Sequence, residues 1–296
     1  MARLPEVPLA DGVLGEVVIG GHPLEVVVLP HAGARLHRVR AFGHDVLLGS
    51  DDVATYDRNP FMWGGYVMAP WCNRVAAEPI EVGGRTIALA ANFRDGSAIH
   101  GQVAIRPWQI EAPGSFVVRG GGDAWPWRFE VRERVAVDGA VLRIELSVAN
   151  LDDAAMPAGI GLHPWFVGPL ELAVPAETVL SPNDDTPATP VPVAGETDLR
   201  RLAPPPIGLD GTWMDVAGPV ELTWPQLGLQ ATMRVDAPTA CIVVASPPGR
   251  GAIAVEPETH APQGIRRLVR DEPGALGMLA PGDRLRLGVE LAFERR

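Results

Sequence analysis

FEVRERVAVDGAVLRIELSV, residues 129–148, decides the fold class. Phe129, Val131, Val135 and Val137 recur at every second position, with Glu130, Arg132 and Arg134 between them. That period lays one face of an extended strand on a core and the other in water. Glu133 interrupts the apolar face. Asp138-Gly139 is a two-residue turn signal, and Leu142, Ile144, Leu146 and Val148 then alternate with Arg143, Glu145 and Ser147. The stretch reads as a β-hairpin with one wet side.

The same period recurs outward from it. Leu285, Leu287, Val289, Leu291 and Phe293 alternate with Arg286, Gly288, Glu290, Ala292 and Glu294. Gly83-Gly84 joins Ile80–Val82 to Thr86–Leu89 as a second hairpin. Further short strands are expected at 17–19, 24–29, 46–48, 116–118, 241–245 and 252–255. No stretch of ten or more residues carries a 3.6-residue period, and the proline-rich pieces 181–192 and 203–207 read as loops. With no linker and no internal repeat, the 296 residues are expected to form one all-β domain, 1–296, of sandwich type.

Composition narrows the partners. The formal charge of −11 opposes nucleic acid or an anionic membrane surface, which need a dense cationic face. No lysine occurs, so Schiff-base chemistry and a P-loop lysine are excluded. Cys72 and Cys241 have no CxxC spacing and read as small buried hydrophobes in a reducing compartment. The opening MARLPEVPLADG lacks an apolar signal-peptide core, and no run reaches membrane-spanning length. A cytoplasmic location is expected.

Four clusters place ionisable residues among apolar ones. In Ala69–Arg74, Asn73 and Arg74 offer donors at the mouth of a sheet, and the guanidinium fork suits vicinal hydroxyls. His100 lies in 98–101 ahead of Gly101. In GLHPWF (161–166), Pro164 holds His163 extended beside Trp165 and Phe166, as an acid with a stacking wall needs. In 253–260, Glu256 ends an apolar run that would raise its pKa toward a useful base. Glu258 would share its face if the strand continued, but Pro257 makes one of the two acids a solvated rim charge. Each cluster alone also admits a structural role: an ordinary arginine, a satisfied histidine, a core turn. The histidines show neither HExxH nor HxH spacing; a metal site assembled from His100, His163 and Glu256 stays open. A GxSxG nucleophile elbow is absent.

Taken in order, PWCNRVAAEPIEVGGRTIAL (70–89), IHG (99–101) with Trp108, GLHPWF, LDGTW (209–213) and VEPET (255–259) resemble the aldose 1-epimerase, or galactose mutarotase, family across roughly residues 12–293. The resemblance implies a β-supersandwich with an open cleft and neither metal nor organic cofactor. It implies interconversion of the α and β anomers of a free aldohexose as the small-molecule partner. On this likeness Glu256 resembles the general base and His163 the general acid. Arg74 and His100 resemble residues that hold the ring, Asp210 a carboxylate gripping hydroxyls, and Asn73 and Trp165 further binding residues. Trp165 stands where a tyrosine is common, which keeps stacking and loses a phenolic hydrogen bond. A non-catalytic sugar sensor, an epimerase of phosphorylated hexoses, and a glycosidase using Glu256 with Asp210 remain alternatives.

Overall fold

The computed structural model describes residues 15–49, 60–180, 189–238 and 240–296. The N-terminal stretch and most of the 181–192 loop read from sequence lie outside them. Two large antiparallel sheets carry the fold. The first has eleven strands and runs Val17–Gly21, Leu24–Leu29, Arg35–Ala41, Gly65–Met68, Gly161–Val167, Ala252–Glu258, Cys241–Ala245, Asp210–Val216, Ala176–Leu180 and Val191–Pro192, with His44–Asp45 paired outside that path. The second has eight, and its centre is Ser115–Gly122, Trp125–Asp138, Val141–Asn150, Arg284–Arg295 and Leu229–Asp236. One apolar cluster draws from both sheets, including stacked Trp71 and Trp125, with Trp127 tilted against Trp125. The expected β-sandwich is the observed one.

The deciding hairpin forms with a register of Val131 on Val148 through Asp138 on Val141. Its two loop residues are therefore Gly139 and Ala140, one step beyond the Asp-Gly read from sequence. Gly139, at φ +58°, takes the first central position of the turn. Gly83 and Gly84, both left-handed, close the other hairpin as expected. Residues 46–48 form no strand: the pairing is at His44–Asp45, and Leu47 only bridges Phe166. Among the described residues the one α-helix is Gly264–Arg270, too short to leave a periodic signature. No helix there is long and apolar enough to cross a membrane.

Glu133 does not break the strand. It points inward with Val131 and Val135, 1% exposed, opposite Phe116 and Leu146. Neither carboxylate oxygen has a hydrogen-bond partner, and burial raises its pKa well above 4.5. The folded protein therefore holds a proton there that the unfolded chain releases, so stability falls as pH climbs above 4.5 toward the raised value. Glu133→Leu should stabilise the fold by about 1–3 kcal/mol near neutrality, with less gain at pH 4.5. Urea unfolding at several pH values measures this; a gain that did not shrink on acidification would contradict it.

Candidate active site

The middle of the first sheet brings the clusters together. Gly161–Val167 lies between Gly65–Met68 and Ala252–Glu258. Its register with the latter pairs Gly161 with Glu258 and Trp165 with Ala254, which sets His163 across from Glu256. His163 Nε2 lies 3.2 Å from Glu256 Oε1, with both side chains buried. Between the two flanking pairs the ladder is open, and each strand carries a proline there, Pro164 and Pro257, with no N–H to donate.

On the other side His163 pairs with Tyr66, whose ring stacks on the imidazole at 4.5 Å. Tyr66 is fully buried and its hydroxyl donates to Phe61 O. Trp165 is tilted against His163 at 5.1 Å, its indole N–H donating to the same Phe61 carbonyl. His100 meets His163 edge-on at 5.0 Å. It is held at φ +59° by the turn into Gly101, whose backbone bridges Ala69.

Arg74 and Asp210 line the cleft beside this centre. Asn73, left-handed at φ +51°, accepts the Arg74 backbone N–H on its own Oδ1. The Arg74 guanidinium lies over Phe93, donates from Nε to Asp95 at 2.9 Å, and reaches Asp210 at 3.9 Å. Behind it, Gln263 at the start of the helix donates its backbone N–H to Arg74 O and accepts the Ala76 N–H on its side chain. His260 is structural: its Nε2 accepts the Cys72 backbone N–H at 2.8 Å.

Asn73, Arg74, His100, His163, Trp165, Asp210 and Glu256 all line one cleft of about 260 Å³. That volume, at the small end of ligand sites, suits a monosaccharide. Phe61, Met62, Phe93, Arg94 and Pro247-Pro248 complete the walls. A larger groove of about 430 Å³ crosses the outer face of the second sheet among Arg132, Arg134, Glu145 and Arg286, without a histidine. No group of three or more His, Cys, Asp or Glu side chains among the described residues is arranged to hold a metal.

Burial governs the electrostatics. It raises Glu256 well above 4.5, with Glu258 and Asp210 adding, and lowers His163 well below 6.5, with His100 adding. Desolvation thus opposes the charged form of both side chains, against the attraction expected between a charged His163 and an ionised Glu256. His100 is lowered to about 3 by burial and by Arg74, so it is a neutral hydrogen-bonding group at physiological pH. Burial also raises Asp210, against Arg74.

Two expectations need correction. The strand does continue through Pro257, and Glu256 and Glu258 are both buried, so neither is a solvated rim charge. Tyr66, Phe61 and Asp95 were missed. Asp95 alone had a local signal, the Asp-Gly-Ser turn in which its Oδ1 accepts the Ser97 N–H.

The two-sheet sandwich thus sets a buried histidine–glutamate contact in the floor of one small cleft. Residues 17–287 match the family "Aldose 1-epimerase", and the chain belongs to that family. Its class of activity is therefore aldose epimerisation, an isomerase reaction. The chain is 24% identical over 216 residues to the uncharacterized protein YihR of Escherichia coli K12, covering 67% of this chain and 70% of that one. The GalM/aldose epimerase homologue of C. elegans superposes with a TM-score of 0.80 at 18% identity, covering 95% and 99% of the two chains. A galactose mutarotase-like protein of Clostridium acetobutylicum gives 0.79 at 16% identity, covering 94% and 95%.

A Cβ at Gly101, where φ is +74°, would lie 2.0 Å from Ala69 O. Gly101→Ala should cost about 2–4 kcal/mol in urea unfolding. An unchanged midpoint would mean that the His100 turn tolerates a side chain.

Proposed function

We propose that the protein is a mutarotase that interconverts the α and β anomers of a free aldohexose by ring opening, with His163 and Glu256 moving the protons. The observation that carries this reading is the 3.2 Å contact between the two side chains in the cleft floor. In a pyranose, O1 and O5 are both bonded to C1, so an acid and a base that serve them must stand side by side. One proton shared by the pair supplies both roles.

The cycle starts with that proton crossing from Glu256 to His163 as the sugar's hydroxyls, with Arg74 and Asp210, replace lost solvation. Glu256 then takes the O1 proton while His163 protonates O5, and the C1–O5 bond opens. The aldehyde turns about C1–C2, and the ring closes on its other face with the transfers reversed. Trp165 offers an apolar wall to the ring. His100, neutral, and Asn73 are assigned to ring and hydroxyl contacts. Free, buried Cys72 and Cys241 suit a cytoplasmic setting.

A second reading has one observation in its favour: Arg94 lines the cleft, and Arg250 lies 5.8 Å from the Trp165 ring. Cations there would suit a phosphorylated hexose. Polarimetry across glucose, galactose and their 6-phosphates separates the two, the free sugars being expected to show the higher kcat/KM.

Glu256→Gln and His163→Asn should each slow mutarotation by roughly a hundredfold or more, since a positioned acid or base contributes ~10²–10⁴-fold. Wild-type rates in both variants would end the assignment. Arg74→Ala should act mainly by raising KM, and an unchanged KM would remove Arg74 from sugar binding.

The rate should also hold over a wider pH range than ordinary side-chain values would allow. The state with one proton on the pair persists from the lowered His163 value to the raised Glu256 value, rather than only between 4.5 and 6.5. A narrow profile peaking between those two ordinary values would contradict the burial argument.

A further inference from the structure

The His163–Glu256 contact is one end of a longer row of side chains. Arg35–Ala41, Gly65–Met68, Gly161–Val167 and Ala252–Glu258 lie side by side in the first sheet. Leu36 pairs with Gly65, so the next step of that antiparallel register sets Arg35 beside Tyr66. Tyr66 pairs with His163, and His163 stands across from Glu256. Residues in register leave the same face of a sheet, so the order is cation, phenol, imidazole, carboxyl. All four are buried, Arg35 at 1% exposure.

The row is in contact from end to end. The Arg35 guanidinium lies 4.7 Å from the centre of the Tyr66 ring and 4.0 Å from that of Trp63. Tyr66 stacks on His163 at 4.5 Å, and His163 Nε2 lies 3.2 Å from Glu256 Oε1. Tyr66 thus has the guanidinium toward one neighbouring strand and the imidazole toward the other. Arg35 is firmly seated: it donates to the carbonyls of Ala32, Trp63 and Ala104 at 3.3, 2.9 and 3.2 Å. Gly64, at φ +67°, leaves the room for it, since a Cβ there would lie 3.1 Å from Arg35 Cγ and Cδ.

A guanidinium keeps its charge throughout the working pH range. Among the described residues, Tyr66, Glu256 and His100 are the titratable groups that face His163. Glu258, Asp210 and Arg74 act on Glu256, and His37, two residues beyond Arg35, packs edge-on against Trp63. Burial keeps Tyr66 a phenol and His100 neutral. Burial lowers His163 too, with His100 and Arg35 adding to it.

The geometry points to Arg35 as a positioning residue of the acid–base pair. Through Tyr66 it holds the imidazole in the row facing Glu256, and its fixed charge behind that ring drives a proton on His163 forward, toward the sugar. This rests on the acid–base reading of the pair. Arg35 does not line the cleft, so it acts without touching substrate. Turnover needs one proton on His163 and Glu256 together. A second proton leaves no base, and the cation behind the ring defers that second proton to lower pH.

The test compares Arg35→Gln, which keeps an amide donor and loses the charge, with Arg35→Lys, which keeps the charge and loses the fork. In the Gln variant the acid limb of kcat/KM should move up by about one pH unit, the size of one charge acting across an aromatic ring at an effective dielectric of ~20. On that limb the variant is then up to about tenfold slower than wild type. In the Lys variant the limb should stay within about 0.3 pH unit, and KM at neutral pH should be unchanged in both. An unmoved limb in a folded Gln variant overturns the role, and so does a Lys limb displaced by a full unit. If Gln does not fold, Lys against wild type decides: a shared limb supports the role and an upward shift overturns it.

Nitrogen-15 NMR of the histidine side chains, with His163 assigned from the His163→Asn spectrum, reads the same shift without substrate. On acidification His163 should take up its proton about one pH unit earlier in the Gln variant than in wild type. Equal midpoints overturn the role of Arg35 and leave the mutarotase reading standing. Shifted midpoints in a protein whose wild type turns over no aldose overturn the mutarotase reading, and the positioning role with it, but not the coupling of Arg35 to His163.

Discussion

The structure depends on keeping one acid and one imidazole dry and in contact. His163 and Glu256 are among the few charged-type side chains buried in the first sheet, and they touch. Removing water from such a pair favours its uncharged form, because each ion loses more solvation than the contact returns. The aromatic rings around His163 serve this constraint. Tyr66 and Trp165 both pack on the imidazole, and both anchor their polar atoms on the single carbonyl of Phe61.

The rest of the scaffold fixes where that dry patch opens. The 69–76 segment supplies the open side, with Asn73 and His100 in left-handed conformations that turn the chain tightly around the cleft. The helix at 264–270 braces it from behind through Gln263. Arg74 is the polar counterpart of the aromatic wall: Asp95 and Phe93 hold the guanidinium over the cleft while Asp210 lies just beyond hydrogen-bond reach. Charge therefore gathers at the mouth, where solvent screens it, and thins toward the floor.

Much of this was legible in the chain, for identifiable reasons. Alternating residues reveal strands with one wet face, so the 129–148 hairpin and the C-terminal strand could be read directly. Glu133 interrupted the pattern, because an unpaired buried carboxyl breaks an apolar face without breaking the strand. Pro257 misled in the opposite direction. A proline counts against a strand interior, yet this one sits where a ladder bond is not formed. The seven candidate residues were proposed because motif order carried them, and the structure gathers them in one cleft. Tyr66 was not visible, since it lies in an apolar strand and acquires its meaning only from a partner nearly a hundred residues away.

The paired prolines have a mechanical consequence. Pro164 and Pro257 leave a gap in the ladder between Gly161–Glu258 and Trp165–Ala254, and the acid and base meet inside that gap. Main-chain bonds clamp both ends of this interval but not its middle. On their outer edges both strands stay paired, His163 with Tyr66 and Glu256 with Val243, so each side chain takes its place from a different neighbouring strand.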